Sequence, residues 1–188
     1  LPNQLFEKKY LDKKFEYLIY EHHDFFTKYN FNKKKLILHR ASMKYYFDYL
    51  KKLKFKVKYL EFNKDLPDED YNYFDPINKM KIKGVMIESP NFILTKELFE
   101  KYRMKTDKFL FTNFYMWSKK ELNLYPDLKS KDKMNRERYK EGIKIPKIPS
   151  NKPDQEYIDE AIKYVEKHFP KNYGNSNNFI FPISHKTA

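Results

Sequence analysis

The chain alternates short apolar runs with stretches of helical spacing, separated by charged or proline-bearing segments. Phe15 to Glu21 (FEYLIYE) is a compact aromatic and aliphatic run, which predicts a buried strand. From Lys33 to Leu53, the residues Met43, Tyr46, Phe47, Leu50 and Leu53 recur three and four apart. That spacing predicts a helix with one apolar face. Phe55 to Phe62 (FKVKYLEF) begins with strict alternation and predicts a second strand. Asp65 to Asp75 is acidic, carries Pro67 and is followed by Pro76, so it predicts a loop. Lys83 to Ser89 (KGVMIES) predicts another apolar strand, closed by Glu88, Ser89 and Pro90. Thr95 is placed to cap a short helix through Arg103, with Leu98, Phe99 and Tyr102 on its apolar face. Phe109 to Phe111 is expected as a short strand and Asn113 to Leu122 as a helix.

Strands alternating with helices point to an α/β fold, a Rossmann-like parallel sheet with crossover helices. Ligands of such sheets sit at the strand carboxyl ends. Here those ends are Asn3-Gln4, Glu21-His22 and Glu88-Ser89. From about Tyr125 the character changes. Lys129 to Lys140 is highly charged, and Pro146, Pro149 and Pro153 follow closely, as in an extended linker. Asp154 or Gln155 then opens a helix to Phe169, with Ile158, Ala161, Ile162 and Val165 on its apolar stripe. The expected organisation is an α/β domain over 1–125, a linker over 126–154, and the opening of a helical region over 155–188.

Composition supports a packed core, with 40% hydrophobic residues and 19% aromatic. Lys+Arg number 39 against 26 Asp+Glu, a net charge of +13. Nearly all of the excess is lysine, spread along the chain. It reads either as a solvated surface written in A+T-rich codons or as a face that attracts phosphate. There is no Cys, which excludes disulfides, thiol nucleophiles and Cys-ligated clusters within the chain. No apolar stretch approaches the roughly 18–20 residues of a membrane helix, and no signal peptide is visible. The expected location is cytoplasmic.

The glycines are only Gly84, Gly142 and Gly174, so neither a Walker A loop nor a G-x-G-x-x-G fingerprint exists. His22 and His23 are adjacent and would point to opposite faces of a strand. His22 with Asp24 is a possible ligand pair for a metal. Ser42 and Ser89 lack a nucleophile-elbow context. Glu21 and Glu88, at the ends of two predicted neighbouring strands, could line a pocket, hold a hydroxylated ligand, or cap the next turn. His39-Arg40 lies early in the long helix and could face the same cleft. Phe109 to Trp117 (FLFTNFYMW) reads as core, or as a stacking platform for bases or a flavin-like ring.

Several segments together resemble a known family. Asn3-Gln4-Leu5, the Glu21 strand end, Phe31-x-Lys33-x-Lys35-Leu36 running into His39-Arg40-Ala41-Ser42-Met43-Lys44, Glu88-Ser89-Pro90-Asn91-Phe92 and Thr112-Asn113-Phe114-Tyr115-x-Trp117 are similar to the N-terminal part of the deoxyribodipyrimidine photolyase-related proteins. That is the prokaryotic cryptochrome and (6-4) photolyase branch. Asp132-x-x-Asn135-Arg136 resembles the opening of its interdomain linker. Val165-Glu166-x-x-Phe169-Pro170, Gly174 and Phe179-x-Phe181-Pro182-Ile183 resemble the far side of that linker.

The resemblance implies an N-terminal antenna or scaffold portion of a flavoprotein for light-dependent DNA repair or light sensing. Its antenna chromophore would be of the ribityl-lumazine type, with candidate contacts Asn3, Gln4, Glu21, His39, Ser42 and Glu88. FAD and a [4Fe-4S] cluster are expected only on a helical C-terminal domain, on this chain's continuation or on a separate partner chain. DNA would be reached through that partner, or weakly through surface lysines. The chain by itself is expected to be inactive, and a first strand is expected before Leu1. Some positions depart from the family pattern. A Gly-Gly-x-Trp segment is replaced by Pro126-Asp127-Leu128-Lys129-Ser130-Lys131, Phe25 stands where a glutamate contacts lumazine, His39 stands at an aliphatic position, and Asn3 replaces an Asp. The chromophore is therefore open between lumazine, another ring and none. The alternative reading is a basic nucleic-acid-binding or partner-binding remnant without photochemistry.

Overall fold

A computed structural model describes residues 11–76, 80–89, 92–106, 108, 110–124, 142, 144, 147 and 152–184. Within them the chain is a mixed α/β protein. The elements run β1 (Glu16–Tyr20), α1 (His23–Phe26), α2 (Lys33–Lys52), β2 (Lys56–Leu60), β3 (Tyr71–Phe74), β4 (Gly84–Ile87), α3 (Lys96–Arg103), α4 (Phe111–Glu121) and α5 (Gln155–His168), the last preceded by a 3-10 turn, Lys152–Asp154. Two compact units are present. One is Leu1–Tyr73, Met80–Val85 and Lys147–Ala188, and the other is Phe74–Lys79 and Met86–Pro146.

In the first unit β1 and β2 pair in parallel, Glu16 opposite Lys56 and Tyr20 opposite Leu60. The 20-residue α2 makes the crossover, as a parallel pair requires. Asn32 begins that helix, its side chain accepting from the Lys34 N–H at 2.9 Å, a cap worth about 1 kcal/mol. Leu53 stops it. The stripe predicted from Met43 to Leu53 is only part of the buried surface. Leu36, Ile37, Ala41, Tyr46 and Leu50 are all buried, because α2 is covered on more than one side. Phe47 meets Tyr59 of β2, and Tyr45 meets Tyr157 of α5, at ring distances of 5.6 and 5.7 Å.

Helix α5 returns across more than a hundred residues to pack on α2. Ala41 and Ala161, both fully buried, occur in that packing, with Leu36, Ile37, Ile158, Tyr164 and Val165 in the same core cluster. Each large aliphatic there contributes roughly 1.5–3 kcal/mol by leaving water. The segment after α5 closes over the start of α2. Tyr173 O accepts from the Lys33 N–H at 3.0 Å. The Lys33 ammonium donates to Glu166 at 2.7 Å, and Ser176 donates to the other Glu166 oxygen at 2.6 Å. Gly174 sits at φ +87, where a Cβ would come within 2.6 Å of the Asn32 cap amide. Residues 152–184 thus pack in the same unit as the first two strands.

The expected continuous sheet is not seen among the described residues. β3 and β4 form their own two-stranded sheet. Tyr71 N–H donates to Lys83 O and Asp75 N–H to Ile87 O, so acceptor advances with donor, the pattern of a parallel pair. β3 lies inside the stretch expected as loop. Its Tyr71, Tyr73 and Phe74 favour the extended chain in spite of the acidic flank. β4, expected as an apolar strand, forms, and it is exposed throughout, with Val85 at 63% and Ile87 at 43%. Gly84 is needed where it stands, since a Cβ there would lie 2.0 Å from Tyr71 O.

In the second unit Thr95 caps α3 as expected, its hydroxyl accepting from the Leu98 N–H at 3.2 Å. Helices α3 and α4 share an aromatic cluster, with Tyr102 5.1 Å from both Phe114 and Trp117. Lys101 pairs with Glu121 beside it. The strand expected at Phe109–Phe111 is not formed at its described end. Leu110 is the N-cap of α4 and Phe111 its first residue, while Phe109 lies outside the described residues. Of the five aromatics in FLFTNFYMW, Phe114 and Trp117 are half-buried in this cluster. Phe111 at 81% and Tyr115 face solvent.

Candidate functional site

At the carboxyl end of β1 the chain turns into α1, and Glu21 is the first residue past the strand. Its side chain is fully buried. One carboxylate oxygen accepts from Arg40 Nη1 at 2.8 Å and from the Tyr59 hydroxyl at 2.5 Å. The other accepts from the Phe62 N–H and the Tyr164 hydroxyl, both at 3.1 Å. Four donors come from α2, β2, the loop after β2, and α5. A buried carboxylate is tolerated only when paired and hydrogen-bonded in this way.

Arg40 holds the other half of the knot. Nη2 donates to Glu160 at 2.6 Å, Nε to both Glu160 oxygens at 3.2 Å, and Nη1 to Glu61 at 3.1 Å. The guanidinium carbon lies 3.8 Å over the Tyr164 ring. Burial works against the charge of Arg40, but the hydrogen bonds to Glu160 and Glu21 outweigh it and hold its pKa above the ordinary value. Burial, and then the negative charge of Glu21, raise the pKa of both Tyr59 and Tyr164. Both phenols therefore stay protonated and donate. At this end of the sheet three carboxylates surround one guanidinium, Glu61 and Glu160 from the solvent side, and Glu21 has no acceptor position left for a ligand.

His22, next to Glu21, begins α1. Its Nδ1 accepts from the Asp24 N–H at 3.1 Å, so that nitrogen is unprotonated and occupied. Burial lowers its pKa, against an opposing effect of Asp24. The His22–Asp24 pair is a helix cap. Among the described residues no cluster of three His, Asp or Glu could hold a metal ion.

His39 and Ser42 lie one turn apart on α2. The His39 ring is 6.0 Å from the rings of both Phe25 and Phe26, and burial, then the charge of Lys35, lower its pKa to about 4. It is a neutral imidazole at physiological pH. Ser42 donates to the His39 carbonyl at 3.1 Å. Glu88 belongs to the second unit, is exposed, and accepts from the Lys96 N–H at 2.7 Å. It caps α3 alongside Thr95. Asn3 and Gln4 lie outside the described residues. The structure thus brings Glu21, His39 and Ser42 into one unit and assigns Glu88 to the other.

Sequence reasoning missed Tyr59, Tyr164, Glu61 and Glu160. The only available signal was Arg40, an arginine on the apolar half of a helix in a chain that uses lysine nearly everywhere else. A bidentate fork is what lysine cannot replace.

The chain matches the family described as deoxyribodipyrimidine photo-lyase-related protein over residues 1–81 and 73–181. It belongs to that family. The chain is also similar to a curated relative, the uncharacterized protein R852 of Acanthamoeba polyphaga mimivirus, at 31% identity over 67% of this chain and 82% of the relative. No helix among the described residues is long and apolar enough to cross a membrane.

Proposed function

We propose that this chain serves as the N-terminal α/β portion of a photolyase-related flavoprotein, in light-dependent DNA repair or light sensing, and that its part is scaffolding rather than chemistry. The family match over residues 1–81 and 73–181 carries the reading. FAD and an iron–sulfur cluster belong, on this proposal, to a helical partner domain, and the cysteine ligands such a cluster needs are absent from this sequence. The Glu21–Arg40 knot supports a supporting role: it ties β1, β2, α2 and α5 to one another through groups that are already satisfied.

The same knot does not fit an antenna chromophore. A ring held by Glu21 would have to displace one of four donors from a buried carboxylate. Of the described candidate contacts on the first unit, His39 and Ser42 would remain for a chromophore.

The test is co-expression with a Cys-bearing helical domain of a photolyase-related protein, followed by size-exclusion chromatography with absorbance detection. A co-eluting complex with flavin absorbance is expected, and separate elution of the two chains overturns the reading. Titration with ribityl-lumazine and with flavins, read by fluorescence, examines the antenna role by itself. No binding by either ring removes that role and leaves the scaffold.

A further inference from the structure

The two ends of the β1–β2 sheet are built differently. At the carboxyl end Glu21, Glu61 and Glu160 surround Arg40. At the amino end the chain places Lys13 and Lys14 just before β1, Lys51 and Lys52 in the last turn of α2, Lys54 in the turn after it, and Lys56 as the first residue of β2. Strand register brings these segments together, because Glu16 lies opposite Lys56. The contacts agree. The Lys13 ammonium lies 5.9 Å over the Phe55 ring, Phe55 packs edge-on to Tyr17 at 5.6 Å, and the Tyr17 hydroxyl donates to Asp12 O at 2.9 Å, holding the turn that carries Lys13 and Lys14.

All six lysines are exposed, and none makes an ion pair among the described residues. The nearby acids are engaged. Glu16 pairs with Lys58, and Asp12 accepts from the Lys14 N–H. Phe15, on the same turn, is 56% exposed. The dipole at the end of α2 accounts for Lys51, Lys52 and Lys54. It does not account for Lys13, Lys14 and Lys56, which arrive from other segments, or for an exposed aromatic between them.

We infer that the amino end of the β1–β2 sheet is a docking surface for single-stranded nucleic acid, with the lysines on the phosphate backbone and Phe15 stacked on a base. Lysines in this density release counterions from a polyphosphate chain, and an aromatic among them adds contact with bases of any sequence. The surface lies at the opposite end of the strands from the Glu21 knot. The inference does not rest on the photolyase-type reading, and neither stands or falls with the other.

The experiment is fluorescence anisotropy of labelled single-stranded and duplex oligonucleotides with the full chain, across a salt series. Three proteins are compared: wild type, Lys13→Gln/Lys54→Gln/Lys56→Gln, and a control with the same charge loss elsewhere, Lys96→Gln/Lys105→Gln/Lys120→Gln. Wild type is expected to bind the single strand at about 50 mM salt, weakening steeply as salt rises. The first variant is expected to lose about 10-fold or more in affinity and to flatten the salt slope by about 2, the control to stay within about 2-fold. Phe15→Ala is expected to weaken the single strand by about 5-fold or more and to leave the duplex unchanged. Circular dichroism verifies that each variant is folded. Equal losses in the two triple variants, no binding at about 50 mM salt, or equally effective competition by heparin would each overturn the inference, the last by assigning the face to polyanions in general.

Discussion

Glu21 and Glu88 close two apolar strand sequences of similar character, YLIYE and VMIE, yet their surroundings have little in common. Glu21 is fully buried and receives four hydrogen bonds from groups up to 143 positions away. Glu88 is exposed and receives one that is described, from an N–H eight residues on. Their strands differ in the same sense. β1 is mostly half-buried beside β2, while β4 is exposed at every position. An apolar strand followed by a glutamate is therefore not by itself a site. What packs beside it decides whether the carboxylate becomes a structural centre or a helix cap.

The most disruptive way to break the comparison is Arg40→Leu. It leaves Glu21 buried without its cation, and the cost is expected at about 3–5 kcal/mol. Trp117, the chain's single tryptophan, belongs to the second unit, whereas α2 and α5 dominate the helical signal. Urea unfolding should show an earlier midpoint by far-UV circular dichroism and little change in Trp117 fluorescence. Matching shifts in both signals would mean that the units unfold as one.

His39 gives the first unit a pH signature. Its folded pKa of about 4 lies below its ordinary 6.5, so between these values the unfolded chain binds the proton first. The contribution of neutral His39 is complete above pH 6.5 and is lost as pH falls toward 4, by up to ~3 kcal/mol. His22, shifted in the same direction, adds to the slope. Between pH 6.5 and 5, before most carboxylates titrate, His39→Gln should flatten the dependence of the circular-dichroism midpoint. An unchanged slope would assign it elsewhere.

Tyr164→Phe removes one donor to Glu21 and keeps the ring over Arg40. About 1–2 kcal/mol of destabilisation is expected, again in the circular-dichroism midpoint. The smallest effect belongs to the other carboxylate. Glu88→Gln keeps an acceptor for the Lys96 N–H, and a loss under about 1 kcal/mol is expected, confined to Trp117 fluorescence. A larger loss for Glu88→Gln than for Tyr164→Phe would reverse the contrast between the two strand ends.

The elements nearest to a local signal were the most legible. The FEYLIYE and FKVKYLEF strands, the long helix between them, the Thr95 cap and the α5 stripe all emerge within a residue or two of their expected places. β3 was hidden by acidic neighbours that do not oppose strand formation when they face water. The start of α4 was hidden because Phe109 to Phe111 is equally good strand and helix material. At the candidate site Glu21 was visible as a strand-end carboxylate, and Arg40 as an unusual residue on a helix. Their connection was not visible, since Glu160 and Tyr164 lie in a helix that follows a long proline-bearing stretch.

Sequence alone determined the mixed α/β character, the extents of the first crossover, and the absence of thiol chemistry from this chain. These depend on periodicity, capping and residue type, which act over a few neighbouring residues. Only the tertiary structure decided that α5 returns to α2, that Glu21 is spent on Arg40, Tyr59, Phe62 and Tyr164, and that the lysines flanking two strands converge at one end of a sheet. Each of these is a choice of partner across a large sequence separation. Hydrophobic burial is non-directional, so the apolar pattern says which faces are covered without saying by what.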